Sequence, residues 1–134
     1  MNLRLSSFAP PRRARSGIAD YAAGLNSELR TLGPVAENSA DCDLALYHLG
    51  NNELHREIYA RALATPGVVV LHDAVLTHFL LGILDEDTWI NEFVHNYGEW
   101  LRGFARELWM NRARAGVDPR FFEYPMLRRI AEVS

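Results

Sequence analysis

PGVVVLHD, residues 66–73, carries the clearest backbone instruction in this chain. Pro66-Gly67 is a turn signal, Val68 to Leu71 is an unbroken run of β-formers, and His72-Asp73 closes it with a polar pair. Upstream, Asp43 to Leu49 (DLALYHL) is a second short apolar run, ended by Gly50-Asn51-Asn52. Such a run reads as a strand buried on both faces. Between the two, residues 53–64 read as a helix. Further back, Ile18, Tyr21, Ala22, Leu25, Leu29 and Leu32 recur at steps of three and four, which places them on one helical face that Gly33-Pro34 stops. Leu3, Leu5 and Phe8 alternate with more polar residues before Pro10-Pro11, as in a first strand running into a stiff loop.

Strand, helix, strand, helix, strand forces parallel pairing through right-handed crossovers. The expected fold class is therefore α/β, a Rossmann-like parallel sheet with flanking helices and a helical C-terminal part, in one domain over residues 1–134. Downstream of Asp73 the pattern predicts helices over 75–84, 88–115 and 125–132. The long one places Ile90, Val94, Tyr97, Leu101, Phe104 and Leu108 on a single face, widened by Trp89, Phe93, Trp100 and Trp109. That surface is expected to pack on the sheet, or to dock a partner, since aromatic residues concentrate in interface cores.

Composition removes several function classes. Seventeen acidic residues against fourteen basic ones give a net charge of -3, so no bulk field draws the chain to nucleic acid. Every basic residue is Arg, which excludes P-loop and Schiff-base lysine chemistry. The single cysteine, Cys42, allows no intrachain disulfide and fits a reducing cytoplasm. No segment approaches the roughly 20 apolar residues of a membrane span, so no integral membrane segment is expected. The five histidines lack the short spacings of a helical ligand set, and neither metal nor cofactor is expected.

In an open α/β sheet ligands bind beyond the carboxyl ends of the strands. Three loops are expected there. Ser16 and Gly17 open a helix whose free N–H groups suit an anion, Gly17 permits close approach, and Asp20 falls in the first turn. The plainer reading makes Ser16 a helix cap. Arg12, Arg13 and Arg15 either clamp a phosphate or form a solvated loop. Asn51 and Asn52 occupy the second loop. His72 and Asp73 end the best strand, where a histidine can bond a sugar hydroxyl or move a proton near neutral pH. His48, His55, His78 and His95 read as structural.

With these loops in view, the sequence resembles the amino-terminal domain of family 4 glycosyltransferases, the group-1 family of retaining GT-B enzymes. Three stretches carry the likeness: Ser16-Gly17-Ile18-Ala19-Asp20-Tyr21, Tyr47-His48-Leu49-Gly50-Asn51-Asn52 with His55, and residues 66–73. The resemblance implies a glycosyltransferase half that binds the acceptor, the nucleotide-sugar donor lying mainly on a second domain expected to be absent here. It implies that the loop at Gly17 faces the donor phosphates or the acceptor, that His72 contacts the transferred sugar, and that Asp73, Asn51 and Asn52 line the cleft. Its partners are then a nucleotide sugar and a glycan or small-molecule acceptor. After Leu32 the family has a further strand and helix, whereas here only residues 33–42 intervene, and that shortened sheet edge or the 88–115 helix is expected to support a homo-oligomer. The rival reading is a non-catalytic sugar-binding or protein-interaction module that kept the scaffold.

Overall fold

The structure, a computed structural model, describes residues 3–134. Four parallel strands, β1 (Leu5–Phe8), β2 (Val35–Glu37), β3 (Leu44–Leu49) and β4 (Val68–Leu71), form one sheet in the order β2-β1-β3-β4. α1 (Gly17–Leu29) links β1 to β2, and a 3-10 turn at Glu53–His55 leads into α2 (Arg56–Ala64) before β4. The chain is thus the expected α/β fold with a Rossmann-like parallel sheet and flanking helices. Its connectivity reverses between β1 and β3, which makes the carboxyl ends of those strands the natural ligand position.

Strand alternation sorts the sheet's two faces. Phe8 and Tyr47, register partners on neighbouring strands, stack at 5.2 Å, and the Tyr47 hydroxyl donates to the Thr65 carbonyl after α2. The opposite face carries Ser7 and His48, with Ala19 and Ala22 of α1 buried in the core. Gly67 is demanded by packing: a Cβ there would stand 2.6 Å from the Ala45 carbonyl oxygen and 2.9 Å from the Tyr47 ring.

The chain divides into two compact units, one of residues 1–50, 54–72 and 133–134 holding the sheet, the other of residues 51–53 and 73–132. The second is wholly helical, comprising α3 (Thr77–Ile83), α4 (Glu86–Tyr97), α5 (Arg102–Met110), α6 (Arg120–Glu123) and α7 (Arg128–Glu132). Its core is aromatic. Phe93 lies 5.2 Å from Tyr124 and 4.8 Å from Tyr97, while Trp89 lies 5.9 Å from Trp109.

Three expectations about elements are corrected. Residues 33–42 contain a strand, β2, so the sheet has four strands rather than three. The 88–115 helix is not continuous: it breaks at Gly98, whose φ of 106° is left-handed territory, and resumes as α5 after a 3-10 turn. Its aromatic face is mostly internal, because Trp89, Phe93 and Trp109 are buried and Trp100 alone of the three tryptophans is exposed. The terminal helix is shorter than residues 125–132, and α6 precedes it.

Candidate functional site

His72 follows β4 directly. Its backbone N–H donates to Leu49 O at 2.8 Å, which carries the β3–β4 ladder one residue past the strand and fixes where the side chain starts. The partly exposed His72 ring lies near-parallel to the fully buried His48 ring, with His72 Nε2 3.0 Å from His48 Nδ1. Tyr21, one turn into α1, meets both rings edge-on, at 4.9 Å from His72 and 6.0 Å from His48. Beneath them His55, also fully buried, donates from Nδ1 to the His48 carbonyl at 2.9 Å.

Burial, reinforced by His72 and His55 close by, pulls the His48 pKa from 6.5 down to about 4, so this ring is neutral at neutral pH. Its Nε2 meets no partner among the described residues. An orphaned N–H is the rarer and costlier thing to bury, which assigns the His48 proton to Nδ1 and makes it the donor to His72 Nε2. His72 is thereby held at the carboxyl edge of the sheet by a neutral, anchored donor, with its orientation set by three elements: β3, β4 and α1.

In the same unit, Ser16 caps α1, its Oγ accepting the Ile18 N–H at 3.2 Å. Gly17 is the first helical residue and is exposed; a Cβ there would touch nothing within 4 Å, so internal packing does not explain the glycine. Asp20 is exposed in the first turn, four residues past the cap and one beyond the capping-box position.

The other unit contains Asn51, Asn52 and Asp73. Asn51 is fully engaged: its N–H donates to Asp73 Oδ2 at 2.7 Å, its Oδ1 accepts the Phe79 N–H at 2.8 Å, and its Nδ2 lies 3.0 Å from His78 Nδ1. His78 Nε2 faces the Ala115 carbonyl at 2.9 Å and must donate to it, leaving Nδ1 to accept from Asn51. Asn51 therefore acts as a remote cap for α3, whose own N-cap residue, Leu76, supplies none. Asn52 and Asp73 are exposed.

Sequence reasoning found His72 from its place at a strand end and gave no part to Tyr21, His48 or His55 in the cluster. Spacing puts Tyr21 on the apolar face of its helix, yet it is 53% exposed and edges both histidine rings. The 24-residue separation of His48 and His72 becomes a contact only through the β3–β4 register, where His48 pairs with Val70.

No group of three or more His, Cys, Asp or Glu side chains among the described residues is arranged to hold a metal ion. No helix among them is long and apolar enough to cross a membrane. No family model, curated protein or solved structure matches the chain.

Proposed function

We propose that this chain is the acceptor-side half of a retaining glycosyltransferase that uses a nucleotide-sugar donor, with His72 as the residue that touches the transferred sugar. The observation that carries this reading is the anchored pair of His48 and His72 at the carboxyl end of the parallel sheet, edged by Tyr21. A sugar hydroxyl needs a hydrogen-bonding group held in one orientation, and preorganisation of this kind concentrates binding energy on the reacting geometry. The exposed, glycine-led start of α1 supports the same reading: with the Ile18 N–H taken by Ser16, the Gly17 N–H and the helix's positive end offer a seat for a donor phosphate or an anionic acceptor. Asp20 borders that seat. Within the other unit Asn52 and Asp73 are exposed, and Asn51 holds Asp73 and α3 in place. Most donor contacts belong, on this reading, to a second domain, and the chemistry asks for no metal.

The test is calorimetric titration of the chain with UDP- and GDP-sugars, beside a His72→Ala variant whose fold is checked by circular dichroism. Saturable heat that the variant loses is the expected result. Heat that survives the substitution, or none from a folded wild-type chain, shifts the reading to a non-catalytic module on the same scaffold.

A further inference from the structure

On the other flank of α1, away from Tyr21, a cleft of about 350 Å³ opens between this helix and the carboxyl ends of β1 and β2. Its volume falls in the range of small-molecule sites. Ser7, Asn26, Glu37 and Arg12 line it, along with Ala23 and Arg30. Ser7 and Asn26 are 2% and 3% exposed, and neither Ser7 Oγ nor Asn26 Oδ1 has a hydrogen-bond partner among the described residues. Two uncompensated buried polar atoms on residues that line one cleft are a cost that a folded chain ordinarily avoids by putting Ala or Leu there.

The neighbouring groups fix what would satisfy them. Ser7 and Glu37 are register partners across the β1–β2 ladder. Glu37 receives Arg30 Nη2 at 2.7 Å and Asn26 Nδ2 at 3.5 Å, both on Oε1, and its Oε2 takes no hydrogen bond among the described residues. That contact also orients the Asn26 amide, since its nitrogen turns to the carboxylate and its oxygen turns away. Arg30 holds the Glu37 carboxyl below its usual range, so it is an ionised acceptor near pH 7. Arg12, exposed at the rim on the loop after β1, makes no ion pair among the described residues. The cleft therefore offers two acceptors, one hydroxyl able to donate or accept, and two guanidiniums, Arg30 held by Glu37 and Arg12 at the mouth.

We propose that this cleft binds a sugar phosphate, its ring hydroxyls donating to Glu37 Oε2 and Asn26 Oδ1 and meeting Ser7 Oγ, its phosphate pairing with Arg12. Hydroxyl groups alone supply several donors on a compact ring, and a guanidinium matches phosphate with paired hydrogen bonds. The site does not depend on the transferase reading, because it uses none of the residues around His72.

The experiment is a titration of the isotopically labelled chain with ribose 5-phosphate and with glucose 6-phosphate, followed through the Asn26 side-chain amide and the Ser7 and Glu37 backbone amides. Ribose, glucose and inorganic phosphate are run separately. A saturable shift at all three residues with at least one sugar phosphate is expected, weaker with the free sugar, and confined to the Arg12 loop with phosphate alone. Glu37→Gln should weaken binding by about tenfold or more, the weight of a hydrogen bond to a charged group. Ser7→Ala should weaken binding several-fold while holding or raising the thermal midpoint, since it deletes an unsatisfied hydroxyl. No saturable shift with either sugar phosphate overturns the proposal. So does a Ser7→Ala chain that binds as tightly as wild type, or one that melts earlier, because its hydroxyl would then be serving the fold.

Discussion

His48 sits at 0% exposure with a neutral ring, and this has a sign that can be measured. Its pKa is about 4 in the folded chain against 6.5 for the ordinary group, so above pH 6.5 both states are neutral and it adds nothing to the pH dependence. As pH falls from 6.5 towards 4 the unfolded chain takes a proton that the folded chain refuses, and folding weakens by up to about 3 kcal/mol. The groups around it are His72 and Tyr21, against the ring, and His55, on its backbone carbonyl. Urea unfolding of wild type and His48→Gln across pH 4 to 7 isolates the contribution: the wild-type curve should fall more steeply on the acid side than the variant's. Parallel curves would mean that His48 is not held neutral. At this scale the sequence showed which residue types were available and where the strand ended. It could not show that a strand histidine would lie under the strand-end histidine, since that depends on which strands become neighbours and in what register.

Elements were legible where one periodicity ran unopposed. β1, β3, β4, α1 and α2 follow from alternation, apolar runs and punctuation by Pro and Gly. β2 escaped because it is three residues long, VAE, with no apolar run, and it forms by pairing with β1 rather than by its own propensity. The broken helix misled for the opposite reason: residues 90–108 keep one spacing although Gly98 turns the chain, because α4 and α5 both point that spacing into the same aromatic core. Two predictions belong to elements. Gly67→Ala pushes a methyl group against the Ala45 carbonyl and Tyr47, and should lower unfolding free energy by about 1–3 kcal/mol with little change in denaturant sensitivity. Asn51→Ala removes the remote cap of α3 and a partner of His78, and should cost about 1–2 kcal/mol, with faster amide exchange at Phe79 as its local signature.

Over the whole molecule, the open side of the sheet is the feature with the widest reach. Among the described residues β4 pairs only with β3, and its Val68 and Leu71 are 48% and 39% exposed. An unpaired strand with apolar side chains is a template for another strand. We expect concentration-dependent association, reduced in a Val68→Lys chain; light scattering that shows a monomer at high concentration in both would count against it. The parallel α/β architecture followed from the sequence because alternating strands and helices leave few topologies. The transferase reading rests on three short motifs, whose residues the fold divides between its two units.

That division runs through the covalent order of the chain. Residues 51–53 belong with 73–132, not with the strand before them or the helix after them. During synthesis Asn51 leaves the ribosome long before Phe79 and His78, and it waits unpartnered while α2 and β4 are made. A gene cut at residue 73 would separate the helical unit from its own cap, so the second unit cannot be inherited, swapped or expressed as a simple downstream cassette without losing that fastening.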